Sequence, residues 1–498
     1  MKLKKVTALL LALLMILPLV VSCSQKSSGD EGKDNEEVQK SDETPTTNLV
    51  REKYGSYDYD GYAFRILSIS PGQHYYWMID GMDGTGWCNE VWYEEDNADA
   101  QIHSVFTRNT LAEELINIDV VMLEGGGTYD IDDLVKTLVK AGGDDFDITL
   151  GDNTCNLPLS SEGYFYNLYD IPTFDVHNTW WDQEYVNTFT YKKNQLYMIT
   201  GDYTIFDDYA AACIFYNKQV LDNYNLDDPA DLVDSGTWTI DTMMEMAEKA
   251  TTDLTGDGQM DENDAYGFFD NGYALTHLTE GCDIHMTALD EEGVPQVVVE
   301  SEEYMNAVQK VFERAILSKA TLLGEGDHDK DIMKEDRVLF LYEQLGGINQ
   351  LRDMESDFSL LPLPKKDEEQ KDYTSVVNGI WCTALSVPVS AKNPEQTGII
   401  LDVLGGMSTD TVNKALHEVV LGPKLFREKR TVEMLNYVIA SKRYDWAKDI
   451  PWGYPLYQIL TDQTTAQTFT LASSLQRSIK TIKAQLKGFV KKMGGGLK

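Results

Sequence analysis

Apolar and polar positions along this chain alternate with two periods. Tyr62-Ala-Phe-Arg-Ile-Leu-Ser-Ile69 has the period of a strand. Between Ala98 and Asn117, the residues Ile102, Val105, Phe106, Ala112, Leu115 and Ile116 fall near one face of a helix. Ile118 to Leu123 predicts a second strand, stopped by Gly125-Gly126-Gly127. Ile131, Leu134, Val135, Leu138 and Val139 predict an amphipathic helix closed by Gly142-Gly143, and Phe146 to Leu150 a third strand. Strands alternating with helices point to an α/β lobe with a largely parallel sheet. Ligands of such sheets sit beyond the carboxyl ends of the strands. That places the loop with His74, Tyr75, Tyr76 and Trp77 on one rim with the loop Gly151, Asp152, Asn153 and Thr154.

The stretch Gln195 to Lys218 reads QLYMITGDYTIFDDYAAACIFYNK. Two strand-like runs, around Leu196–Ile199 and Ala210–Tyr216, flank a polar connector with the pair Asp207-Asp208. The pattern fits a hairpin, and equally a strand that leaves one lobe and enters another. Beyond Lys218 the alternation resumes. Thr239 can cap a helix through Ile240, Met243, Met244 and Ala247, and a further helix runs from about Ser301 to Ile316. Short strands are predicted at 337–341, 358–361 and 381–389. Asn393-Pro394-Glu395-Gln396 has the form of a helix start and Gly405 suits its stop. The tail from about Thr461 reads as helix and turns basic near its end. No internal repeat is visible.

Length and charge narrow the picture. With 498 residues the chain exceeds one core and predicts two or three domains. Acidic residues outnumber basic ones 82 to 42, and a net charge of -40 repels nucleic acid and anionic headgroups at long range. Nucleic acid is therefore excluded as a partner. At the N-terminus, Lys2, Lys4 and Lys5 precede an apolar run, Val6 to Val21, too short for a comfortable membrane span. Val20-Val21-Ser22-Cys23 then resembles a bacterial lipobox, in which the cysteine is lipidated. Residues 1–22 are thus a lipoprotein signal peptide, and residues 23–60, poor in apolar side chains, an acidic disordered tether. Cys88, Cys155, Cys213, Cys282 and Cys382 show no metal spacing; one disulfide is chemically allowed, with no pair selected.

One loop carries recognisable chemistry. Asp253-Leu-Thr-Gly-Asp-Gly-Gln-Met-Asp-Glu-Asn-Asp264 fits the twelve-residue calcium loop. Asp253, Thr255 and Asp257 supply oxygens at positions 1, 3 and 5, Gln259 a carbonyl at 7, and Asp261 a carboxylate at 9; Gly258 holds the turn. Asp264 at position 12 departs from the usual bidentate Glu. The expected ion is a structural Ca2+. Catalytic motifs are missing: there is no G-x-S-x-G, no H-E-x-x-H and no P-loop. No enzyme is expected from these motifs, although the abundance of carboxylates leaves a glycosidase pair open.

In order, lipobox, acidic leash, α/β lobe, apolar crossing and second α/β lobe resemble the bacterial extracellular solute-binding proteins, family 1, of ABC importers. Asp147-Ile148, Tyr216-Asn217-Lys218, Trp238-Thr239, and Ala384-Leu385-Ser386-Val387-Pro388 with Asn393-Pro394-Glu395 carry the likeness. The resemblance implies an α/β fold of the type II periplasmic-binding-protein kind, two lobes joined by a multi-crossing hinge. Lobe 1 would take residues 61–204 and 377–432, lobe 2 residues 205–376 and 433–498. The implied ligand is a carbohydrate, gripped by aromatic faces and by carboxylate and amide groups. Cleft candidates are Trp77, Asp152, Asn153, Trp180, Trp181, Asp207 and Asp208, with Tyr342, Trp381, Trp446 and Trp452 from the second lobe and returning segment. Adjacent indoles in an extended stretch point to opposite sides, which favours Trp180-Trp181. The implied partners are the permease subunits of an importer, with the membrane touched only through lipid on Cys23, and the implied state is a monomer. The same fold serving a non-sugar solute or a sensor, and a surface carbohydrate-active enzyme, are the alternatives.

Overall fold

The computed structural model describes residues 45–70, 88–127, 130–324, 329–351, 353–417, 428–448 and 450–493. Composition predicted a tether to residue 60, but the first helix, α1, spans Thr46–Tyr54. The reason is burial: Val50 and Tyr54 are core residues, and the Tyr54 hydroxyl donates to Asp402 Oδ2 at 2.8 Å. Next come β1 (Tyr62–Ser68), α2 (Cys88–Val91), α3 (Ala100–Ile116), β2 (Ile118–Glu124), α4 (Ile131–Ala141), β3 (Ile148–Asp152) and α5 (Asn153–Ser161). The Asp99 side chain accepts from the Ile102 amide to start α3, and Gly142 adopts φ +69 to end α4.

After α6 (Gln183–Phe189) and β4 (Ala212–Asn217) the chain builds a second body. Its elements include α7 (Ile240–Ala250), β5 (Tyr266–Asp270), α8 (Ala274–Gly281), β6 (Thr287–Leu289), β7 (Pro295–Val297), α9 (Glu302–Val311), β8 (Thr321–Leu323), β9 (Val338–Gln344) and β10 (Phe358–Leu361). A reciprocal Thr239–Thr242 capping box starts α7. β11 (Ser375–Val376), β12 (Thr383–Ser386), α10 (Pro394–Ser408), α11 (Lys429–Ala440), β13 (Lys442–Arg443), α12 (Tyr454–Ala466) and α13 (Leu471–Lys492) complete the order.

Two sheets organise these elements. One has the order β12-β3-β1-β2 and the other β10-β4-β9-β5-β8. β1, β2 and β3 are parallel and β12 runs against them; β5, β8 and β9 are parallel and β4 runs against β9. This answers the question left by residues 195–218. No hairpin forms: Ile199 bridges Leu385 beside the first sheet, whereas Ala212 pairs with Gln344 in the second. The stretch is a crossing.

Gly405 does not stop a helix. α10 runs on to Ser408, and a side chain at Gly405 would collide with the Trp180 indole and one at Gly406 with Val50 while crowding the same indole, so the glycines make a seat. Buried Cys213 and Cys282 are free thiols. No helix among the described residues is long and apolar enough to cross a membrane.

Candidate ligand cleft and its charged hinge

Register locates the cleft. In the first sheet the reversed strand starts at Thr383, opposite Asp152 at the carboxyl end of β3. In the second, the reversed strand starts at Ala212, opposite Gln344 at the carboxyl end of β9. Each crossing therefore joins one carboxyl edge to the other, and the two edges face a common space. The crossings lie side by side. Ala211 bridges Val377, and β11 pairs in parallel with β13 through Ser375–Lys442 and Val376–Arg443.

The hinge is held by buried charge. Lys442 Nζ lies 2.8 Å from Asp182 Oδ2, 2.7 Å from Asp207 Oδ2 and 2.7 Å from Asp208 Oδ1. Burial opposes the Lys442 charge, yet the three carboxylates raise its pKa well above the ordinary lysine value. Against the cost of burial, Lys442 holds Asp182 below the usual carboxylate range, with help from the Tyr185 amide and the Tyr444 hydroxyl. Burial drives Asp207 the other way, upward, and neighbouring Asp208 adds to it. Above this cluster, Glu90 Oε2 accepts the Ile205 and Phe206 amides at 2.6 and 3.0 Å, and the Thr383 hydroxyl donates to Oε1 at 2.8 Å. Burial pushes Glu90 up to about 8. Asp207 and Asp208, expected to meet ligand, are instead counter-ions of Lys442. Carboxylates only 2% and 7% exposed need such a partner.

Other expected contacts are also placed in the interior. Trp181 is 1% exposed, and its indole N–H donates to Asp402 Oδ1 at 3.2 Å beneath α10. Trp180 lies on Gly405-Gly406 of the same helix. Both indoles point inward because 176–180 is a run of turns and bends, where strand alternation does not apply. Trp446 donates to the Thr188 carbonyl at 2.7 Å, Tyr342 stacks on His277 with centroids 5.2 Å apart, and Trp452 is buried. Asp152 Oδ1 accepts the Cys155 amide at 2.8 Å and so starts α5, while Asn153 Oδ1 accepts the Tyr185 hydroxyl at 2.6 Å. Trp381 is half-buried beside the second crossing, and Trp77 lies outside the described residues.

The rim that the structure offers comes from residues not expected. Tyr273 (43% exposed) follows the carboxyl end of β5, and Tyr454 (59% exposed) opens α12. Between them sits half-buried Tyr457. Its ring is near-parallel to Tyr273, 5.7 Å and 22° apart, and lies 6.4 Å from Tyr454. Beside them Asp270 Oδ1 accepts the amides of Gly272 and Ala274 at 2.7 and 2.9 Å, while Oδ2 is buried without a partner. Burial raises Asp270 to about 6. Behind the rim, Lys448 Nζ is 2.9 Å from His277 Nδ1 and 3.1 Å from Glu280 Oε2. Burial first, and Lys448 second, lower His277 to about 4, so the ring is neutral. The local signals for the rim were the Asn271-Gly272 turn just before Tyr273 and the i, i+3 spacing of Tyr454 and Tyr457.

In the acidic loop, Gly258 adopts φ +80, the left-handed turn the calcium loop needs. Asp253 accepts the amides of Gly256 and Gly258, and buried Asp264 accepts those of Leu254, Thr255 and Asp261. Among the described residues no three ligating side chains converge on one point. The donor chemistry and turn fit calcium, with Asp253, Asp257 and Asp261 needing to draw inward to hold it.

Two α/β lobes whose carboxyl edges face each other across side-by-side crossings define the type II periplasmic-binding-protein fold. Residues 113–327 match the profile of the bacterial extracellular solute-binding proteins. The chain has the fold of that family and, over those residues, its sequence pattern. Similar solved structures include the cyclic alpha-maltosyl-1,6-maltose binding protein from Arthrobacter globiformis, with a TM-score of 0.57 and 12% identity over 86% of this chain and 100% of that one. A sugar transporter from Rhizobium etli in an open conformation has a TM-score of 0.57 and 14% identity over 85% and 100%. An ABC substrate-binding protein from Listeria monocytogenes in complex with cycloalternan has a TM-score of 0.54 and 12% identity over 86% and 100%. At these identities the likeness is one of fold. No curated protein matches the chain.

Proposed function

We propose that this chain is a lipid-anchored extracellular binding protein that captures a carbohydrate, an oligosaccharide, between its lobes and delivers it to the permease subunits of an ABC importer. The observation that carries the reading is the row Tyr273, Tyr457 and Tyr454 at the carboxyl edge of the second sheet. Near-parallel aromatic faces suit the C–H faces of successive sugar rings. Sugars in the names of similar structures support the same class. The crossings let the lobes close on the ligand, and acyl chains such as palmitate on Cys23 keep the body at the outer face of the cell membrane. No turnover is expected.

Isothermal titration against a panel of glycans tests the rim. Tyr457→Ala and Tyr273→Ala should each weaken glycan binding roughly tenfold, about 1.4 kcal/mol, without unfolding the protein. A chain that binds no glycan, or whose tyrosine variants bind like wild type, would turn the reading toward a non-sugar solute. Product release would turn it toward an enzyme.

Calcium in the loop Asp253–Asp264 is the second part of the proposal, with Asp253, Thr255, Asp257, Gln259, Asp261 and Asp264 as its ligand set. Bound to the folded loop only, the ion stabilises by mass action, about 2.7 kcal/mol at a hundredfold excess over Kd. A chelator and Asp257→Ala should lower the melting temperature by similar amounts. An unchanged melting curve in both removes the ion.

A further inference from the structure

The C-terminal helix α13 departs from the charge of everything before it. In a chain of net charge -40, no Asp or Glu occurs after Asp462, while α13 carries Arg477, Lys480, Lys483, Lys487, Lys491 and Lys492. Helical geometry sorts these cations. Leu475, Ile482, Leu486 and Phe489 form the buried stripe, and Lys480, Lys487 and Lys491, at i, i+7 and i+11, project from the opposite side. Lys483 and Lys492 flank the ridge and are paired to Glu300 and Glu162. Lys480, Lys487 and Lys491 are exposed and have no acidic partner among the described residues; Arg477 donates only to Ser474 of its own helix. Between the lysines the ridge carries Ala484 and Gly488, and a side chain at Gly488 would meet nothing within 4 Å. The face is therefore flat, open and cationic.

We propose that this ridge is a docking face for the anionic phospholipid surface of the cell membrane. Its chemistry fits phosphate headgroups spread over a plane, because small residues leave the ammonium groups standing outermost. The remaining surface carries the acidic excess and is repelled by the same plane, so attraction and repulsion together select one orientation. Proximity follows from the lipid-anchored reading, on which the proposal rests. Only 21 residues separate Cys23 from Pro45, so the body stays within about 75 Å of the bilayer even at full extension. The tether raises the local concentration of the ridge at the membrane, so a modest attraction that vesicles can also register suffices to hold one orientation there.

The test uses the processed chain from Cys23 onward, without lipid, whose compact body begins at Pro45. It should co-sediment with vesicles of phosphatidylglycerol and phosphatidylcholine at least tenfold more than with phosphatidylcholine alone. In about 1 M salt, where the Debye length falls to about 3 Å, that excess should vanish. The variant K480E/K487E/K491E should lose it while keeping the wild-type melting temperature and glycan affinity. Equal sedimentation with both vesicles, or a variant that sediments like wild type, overturns the proposal. So does a tenfold gain on deleting residues 24–44, because the acidic tether would then be the ridge's occupant. The anchor is judged apart from this, by whether Cys23→Ser releases the protein from cell membranes.

Discussion

Methionine in place of Lys442 should destabilise the protein by about 3–5 kcal/mol, the usual cost of removing one partner from a buried ion pair. Methionine keeps most of the volume, so the loss is electrostatic. Asp182, Asp207 and Asp208 all approach Lys442 Nζ within 2.8 Å, and their removal from water is offset only by that ammonium. Without it, burial and mutual repulsion favour protonated carboxyls, so the folded variant binds protons that the unfolded chain, near its ordinary 3.9, does not. Stability of the variant must then rise as pH falls toward 4, because the folded state holds the extra protons. Urea midpoints at pH 5 and pH 8 read this directly. Adding Asp208→Asn to Lys442→Met should recover part of the loss at pH 8. A variant with wild-type midpoints, or one weaker at pH 5 than at pH 8, would show that Lys442 does not hold the hinge.

Glu90→Gln should flatten the pH dependence of stability. The Glu90 carboxyl is raised by burial, with Asp207 adding to it, from its ordinary 4.5 to about 8, despite the opposing Ile205 and Phe206 amides and the Thr383 hydroxyl. A raised acid means the folded state keeps a proton that the unfolded state has released. Its contribution is complete below pH 4.5 and is lost as pH climbs through 8, so wild-type stability should fall across that window. The scale is about 4–5 kcal/mol for one group so displaced. Glutamine preserves the geometry: its carbonyl can accept both amides and its NH2 can donate to the Thr383 hydroxyl. The variant should match wild type near pH 5 and exceed it at pH 8, with a residual slope from Asp207, which is also raised. Denaturant melts at pH 5, 6.5 and 8 check it. Parallel slopes in both proteins would mean that Glu90 is ionised in the fold.

What the one-dimensional pattern could read depended on range. Helices α3, α4 and α7, with their Asp99, Gly142 and Thr239 ends, are local objects whose periods and caps lie within a few residues. The type of each lobe follows from the same alternation, and the order of elements sufficed for the fold class. Positions that depend on a distant partner were illegible. Trp180-Trp181 looked like a ligand platform because nothing nearby revealed that Gly405-Gly406, more than two hundred residues later, form its seat. Asp207-Asp208 looked available because their counter-ion, Lys442, arrives on another crossing.

The residues of the proposed rim show the same division. Tyr273 and Tyr457 lie far apart in the chain, and their near-parallel rings meet only where β5 ends and α12 begins at the same edge of the second sheet. By itself the sequence determined the strongly periodic helices α3, α4 and α7, the strands β1 to β3, the excess of acid and the fold class, because periodicity, capping and charge are written in neighbouring residues. The tertiary structure alone decided that 195–218 is a crossing, which aromatic rings face solvent, and which carboxylates are spent on a buried lysine. Those outcomes are set by burial and pairing between segments that no local pattern connects.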